Sequence, residues 1–144
     1  MKKICMLIVL AALLNACSRG PEPIRYGSDA CAHCKMTIMD KRFAAEIVTA
    51  KGKVYKFDSA ECMADFLKDN AGLASNDKTM FLVSYYDHPG TFENATNSVY
   101  LRDEAMHSPM GGNVGVFTSE ASARSFGKDT AAKIYNWAEL LRSR

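Results

Sequence analysis

Apolar and polar positions change rhythm several times along this chain. An unbroken apolar run, Ile4 to Leu14, follows the basic start Met1-Lys2-Lys3. A polar stretch from Ser18 to Ser28 comes next, holding Pro21 and Pro23 and showing no periodicity. Alternation begins at Ala45 to Ala50 and repeats at Lys53 to Phe57, with Lys51-Gly52 between them, which predicts a β-hairpin. Asp58-Ser59-Ala60-Glu61 then reads as a helix start, with Asp58 as N-cap and Glu61 three residues on in a capping box. Ala60, Met63, Phe66 and Leu67 share one face of the helix predicted from there to about Asn70.

A second block repeats the rhythm. Met80 to Tyr86 is strand-like and ends in the turn Asp87-His88-Pro89-Gly90; Asn97 to Leu101 and Val114 to Phe117 are further strand candidates. Thr118-Ser119-Glu120 opens a helix with Ala121, Ala123, Arg124 and Phe126, stopped by Gly127. A last helix is expected over Thr130 to Arg142, burying Ile134, Trp137 and Leu141. Val54 to Glu61 and Val114 to Glu120 both run strand, polar cap, helix, which suggests an internal duplication. Strand pairs punctuated by single helices imply an α+β fold, an antiparallel sheet with helices on one face.

The first residues bear on location. A charged start and an apolar run of this length are the layout of a secretory signal, too short for a spanning helix. Leu14 is too large for the −3 position of ordinary cleavage before Cys17, whereas Leu14-Asn15-Ala16-Cys17 resembles a bacterial lipobox. The expected organisation is therefore a signal peptide over 1–16, a tether over 17–28 behind a lipidated Cys17, and a single domain over 29–144. Several acyl chains on Cys17 would anchor the chain to a membrane on its periplasmic side. Ser18 lacks the acidic character that retains enterobacterial lipoproteins at the inner membrane, which points to the outer one.

Of five cysteines, Cys5 leaves with the signal and Cys17 is acylated, so Cys31, Cys34 and Cys62 remain. An odd number of thiols in an oxidising compartment does not read as a disulfide framework. Cys31-Ala32-His33-Cys34-Lys35-Met36 gathers two thiols, an imidazole and a thioether within six residues. Thiolate with thioether suits Cu(I), and zinc rarely takes a thioether. Cys34 and Met36 are two apart and share a side in extended chain; Cys31 and His33 are supporting candidates. A plain Cys31–Cys34 disulfide, with Met36, Ile38 and Met39 as core residues, is the alternative. Ser108-Pro109-Met110-Gly111-Gly112 presents Met110 on a Pro/Gly loop, a poor setting for a core residue and a suitable one for a distant third ligand, with His107 and Met106 as alternates. Cys62 reads first as a buried structural cysteine and second as a free thiol at a helix start. The formal charge of +2, with scattered Lys and Arg, offers no nucleic-acid surface. No activated serine, phosphate loop or His–Glu pair for zinc hydrolysis is present, so neither an enzyme nor a small-molecule substrate is indicated. The rival redox reading uses Cys31 and Cys34 as a thiol–disulfide oxidoreductase, which would favour a helix start after a strand. A structural zinc site from Cys31, Cys34, Cys62 and one His would leave Met36 and Met110 without a role.

These pieces resemble a known family in their order. The lipobox, the tether, Cys34-Lys35-Met36, Phe57-Asp58-Ser59-Ala60-Glu61-Cys62-Met63, Thr91 to Ala95 leading to Val99-Tyr100, Ser108 to Gly112 and Val116-Phe117 are together similar to NosL, the copper-binding accessory lipoproteins of nitrous-oxide reductase. The resemblance runs from Cys17 to about Leu141. It implies a Cu(I) donor without catalytic turnover, working on the apo form of the reductase with its membrane maturation and transport complex. It also implies a fold of two similar β–β–α–β-type halves in one domain, and a ligand set of Cys34, Met36 and Met110. Cys31 exceeds the minimal motif of that family, in which one Cys suffices.

Overall fold

The computed structural model describes residues 20–127 and 132–144. The predicted signal peptide, Cys17 and the residues Thr130 and Ala131 lie outside them. Two antiparallel sheets are built by the same route. In the first half, β1 (Ala45–Val48) and β2 (Val54–Phe57) form the predicted hairpin; α1 (Ala60–Asp69) and the short α2 (Ala71–Ala74) follow, and β3 (Met80–Ser84) returns to the free edge of β1. In the second, β5 (Val99–Arg102) pairs with β6 (Val114–Phe117), α3 (Glu120–Phe126) follows, and β7 (Lys133–Tyr135) returns to β5. Between the halves, β4 (Phe92–Asn94) adds an edge strand to β3. The sheet orders are β2-β1-β3-β4 and β6-β5-β7. In each half the first strand is central and the helix precedes the third strand, so the β–β–α–β duplication and the α+β class hold.

Strand alternation sorts the side chains. Ala45, Ile47, Phe57, Phe81 and Val83 face a core shared with Cys62, Met63 and Leu67 of α1, with Tyr100 and Val116 of the second sheet, and with Leu140 of α4 (Trp137–Arg142). Leu101 and Phe117 point to the opposite face of the second sheet, where Ala123 and Phe126 of α3 cover them beside Phe43 and Met106. Gly115 makes room there, since a Cβ at that position would overlap the Met106 sulfur. The helix α1 touches β1, β2, β6 and α4, which makes it the element joining the halves.

Three local expectations are corrected. Ser59, not Asp58, caps α1: its Oγ accepts from the Cys62 N–H at 3.1 Å, and Glu61 turns inward instead of closing a capping box. The helix expected from Thr130 starts only at Trp137, where Asn136 and Glu139 form the true capping box. The Ile134-Tyr135 pair upstream is strand, because Leu101 and Tyr100 offer it a sheet edge with matching side chains. The polar stretch before Asp29 is also less detached than its composition suggests. Ile24 is buried, Lys56 Nζ donates to Pro23 O at 2.9 Å, and Arg25 pairs with Asp29, so packing begins a few residues before Asp29.

Candidate metal centre

The cysteine motif forms a tight loop. Ala30 and Thr37 bridge in antiparallel fashion, the Cys31 N–H donates to Met36 O at 2.8 Å, and the Lys35 N–H donates to Cys31 O at 3.1 Å. Lys35 takes a left-handed conformation, φ 66°, to close it. A non-glycine residue there costs about 1–2 kcal/mol; the Lys35 ammonium donates back to Ala32 O at 2.5 Å. The Ala32 N–H donates to Lys56 O at 2.7 Å, stitching the loop to the end of β2. Phe57-Asp58-Ser59 continues from that strand into α1, and its first turn carries Cys62. Two segments about thirty positions apart are thereby brought onto one spot.

There the sulfurs of Cys31, Cys34 and Cys62 all lie within 4.8 Å of one another. All three are free thiols. A soft ion bonded to three sulfurs at about 2.3 Å separates them by about 4 Å, so the cluster is sized for one ion. Among the described residues no histidine or carboxylate joins it. Cys31 and Cys62 are buried and Cys34 is partly open. The Cys62 thiol and the main-chain N–H groups of Asp58, Cys34 and His33 favour the Cys31 thiolate and bring that thiol down to about 4, against the cost of burial. Cys62, which supplies the hydrogen bond to Cys31 and is buried, is pushed far upward; Cys34 is raised chiefly by desolvation. Asp58 borders the cluster, and burial, then the negative charge of Cys31, lifts its carboxyl to about 6.

The other sulfur and imidazole candidates divide. Met36 and Met110 are exposed. Met39, a core residue only in the disulfide alternative, is exposed as well, because Ile38 takes the inward place beside it. Met106 is no alternate to Met110: it is buried under α3 against Gly115. His107 is exposed with a left-handed backbone, φ 47°, and His33 stays out of the cluster. Cys62 is buried as expected of a structural cysteine, yet its sulfur belongs to the cluster. The sign in the sequence was the unpaired third thiol.

The Met110 loop is tied to the same helix. Glu61 is fully buried, and its Oε1 accepts from Ser108 Oγ at 2.8 Å and from the Val114 N–H at 3.3 Å. Ser108 Oγ in turn accepts from the Asn113 N–H at 2.8 Å, closing the loop on itself. Gly112 passes so near that a Cβ would stand 2.5 Å from Glu61 Oε1. Glu61 precedes Cys62, so the thiol and the loop are held from adjacent positions of one helical turn.

Comparison with known proteins places this arrangement. Among solved structures, the crystal structure of the copper chaperone NosL from Shewanella denitrificans has the same fold, with a TM-score of 0.72 at 20% identity over 88% of this chain and 98% of that one. No curated protein sequence matches. Residues 25–143, nearly the whole described chain, match the NosL family, and the chain belongs to it.

Proposed function

We propose that this protein is a lipid-anchored Cu(I) metallochaperone on the periplasmic side of the membrane, supplying the copper sites of nitrous-oxide reductase and catalysing no reaction. The observation that carries the reading is the cluster of three free thiols with one open member. Thiolate donors select Cu(I), and a site with three sulfurs and, among the described residues, no fourth ligand of oxygen or nitrogen suits an ion that is to be given up again. In this reading Cu(I) is cargo bound at Cys34, with Cys31 and Cys62 on its inner side and the thioethers of Met36 and Met110 on its outer side. The apo reductase and its membrane maturation complex are the partners, and Cys17 carries the acyl chains, on the outer membrane in preference to the inner.

The oxidoreductase alternative fares poorly on the thiol chemistry. A redox nucleophile needs a low-pKa thiol that substrate can reach. Here the low thiol, Cys31, is buried, and the reachable one, Cys34, is raised. The motif also lies in a loop and not at a helix start. Anaerobic titration of the reduced protein against a competing Cu(I) chelator tests the proposal. One tightly held Cu(I), lost in Cys34→Ser and far exceeding Zn(II) in affinity, is the expected result. Retention of Cu(I) by Cys34→Ser, or disulfide exchange at enzyme-like rates, would overturn it.

A further inference from the structure

Between the N-terminal segment and the outer face of the first sheet lies a cavity of about 580 Å³, within the size range of small-ligand sites. Strand alternation puts it there. Ala45 and Ile47 face the shared core, so Glu46 lies on the other face, opposite Lys56 on β2 and Leu82 on β3. The segment from Pro21 to Asp29 crosses that face, held where Lys56 Nζ donates to Pro23 O at 2.9 Å and to Asp29 Oδ2 at 2.8 Å. Pro21, Pro89 and Phe92 wall the cavity, and Glu46, Tyr26 and Lys41 are among its polar lining.

Two of those polar groups are built in without partners. Glu46 is 1% exposed, and among the described residues neither of its carboxylate oxygens, nor the buried Tyr26 hydroxyl, has a hydrogen-bond partner. Folded proteins pair nearly all such groups, so two orphans lining one cavity call for a hydrogen-bond donor that enters it. The third group has the opposite charge. Nearby, Arg25 and Lys56 pair with Asp29, Arg42 pairs with Asp40, and Glu22 on the cavity rim stands 3.7 Å from Lys56 Nζ. Lys41 is the base left for a ligand; it is exposed, with Nζ 5.5 Å from the Tyr26 ring centroid. An inner acceptor pair and an outer ammonium together suit a zwitterion, one end a primary ammonium with three N–H donors and the other a phosphate. Such a group lies close at hand in the anchored protein. Cys17 is four positions before Pro21, a span of at most about 14 Å in extended chain, so an acylated Cys17 keeps the cavity beside the lipid headgroups.

We propose that this cavity binds a phosphoethanolamine headgroup of the membrane, its ammonium donating to Glu46 and Tyr26 and its phosphate paired with Lys41. The lipid as source rests on the anchor at Cys17; the site itself rests neither on the anchor nor on copper.

The full chain, 15N-labelled and in detergent micelles, is titrated with free phosphoethanolamine and, separately, with phosphocholine, whose quaternary ammonium has no N–H to donate. Phosphoethanolamine should shift the amides of residues 22–26, 45–47 and 89–92 saturably, and phosphocholine should not. Glu46→Gln should weaken the binding about tenfold, with the remaining amides showing the fold intact, and Lys41→Ala should weaken it as well. In nanodiscs, amide exchange at residues 22–26 should be slower with phosphatidylethanolamine than with phosphatidylcholine, and Glu46→Gln should remove the difference. No shift with phosphoethanolamine, equal shifts with phosphocholine, or undiminished binding by Glu46→Gln overturns the site. Specific binding of the free compound with equal exchange in the two bilayers overturns the lipid as occupant. A chain that leaves both bilayers refutes the anchor at Cys17, and with it the lipid occupant.

Discussion

Cys34 differs from its two neighbouring thiols in being partly open to solvent, and in our proposal it is the residue through which the site gains and loses its ion. In the same proposal Met110 supplies the corresponding outer donor. Replacing it by Leu keeps volume and apolarity, so stability should change by about 1 kcal/mol or less, while the Cu(I) complex should show one fewer sulfur neighbour in X-ray absorption. An unchanged copper shell would remove Met110 from the site. Glu46 offers a second test, independent of metal. It is buried in the middle of β1, neither carboxylate oxygen has a hydrogen-bond partner, and burial lifts it from 4.5 to about 7. Lys56 offsets part of that, while Glu22 and Asp29 face it as like charges and Tyr26 as a phenol. Between those two values the folded chain keeps a proton that the unfolded chain has released, so stability falls as pH rises through the window and the loss is complete above about 7. Glu46→Gln should therefore be more stable than the wild type at pH 8, by up to about 3 kcal/mol, with the difference gone at pH 4. Urea unfolding at the two pH values decides this, and equal stability at pH 8 would refute it. At this scale the sequence showed which atoms are soft donors. Exposure was hidden: Met36, Met39 and Met63 look alike in the chain, and only the place of Ile38 and the stripe of α1 separate them.

The first turn of α1 is the element that organises the site. It presents Cys62 inward, takes its cap from Ser59, and through Glu61 holds the Met110 loop. Glu61→Ala would leave the Ser108 hydroxyl and the Val114 N–H unpaired in a buried place. A loss of about 2–4 kcal/mol follows, with faster amide exchange confined at first to residues 107–114; exchange unchanged in that loop would contradict the role given to Glu61. The spacing of Ser59 and Glu61 was visible in the sequence, but Asp58, Ser59 and Glu61 are all good helix-start residues. Local propensity does not tell which of them caps and which turns inward. Burial of Asp58 and Glu61 settled it, a tertiary effect. The misread last helix has the same origin: Ile134 and Trp137 fit a helical stripe, yet a free strand edge on β5 claimed Ile134 first.

For the whole molecule, the fold was legible because its pattern occurs twice. Phe57-Asp58-Ser59 and Phe117-Thr118-Ser119 end equivalent strands and start equivalent helices, and the repeat identifies the halves before any contact is known. What the pattern did not contain is how the halves join, since that depends on α1 meeting β6 and on the shared burial of Tyr100 and Val116. We propose that the segment before the described residues sets the position of the protein in the cell. No described helix is long and apolar enough to cross a membrane. Our proposal places attachment at Cys17: Cys17→Ser should move the protein from the membrane fraction to the soluble periplasmic fraction without altering Cu(I) affinity. A variant that stays with the membrane would refute the lipid anchor.

The two helix caps are near copies. Ser59 has φ −156° and ψ 164°, Ser119 has φ −154° and ψ 160°, and each hydroxyl accepts from the amide three residues on at 3.1 Å. At that third position the first half has Cys62 and the second has Ser122, one chalcogen atom apart. The molecule thereby carries its own isosteric blank. Ser122, whose hydroxyl bonds to Asp87, occupies the same local frame with oxygen in place of sulfur. The cap geometry is thus common to both halves, and what sets the first half apart at this position is the cluster of three sulfurs that Cys62 joins.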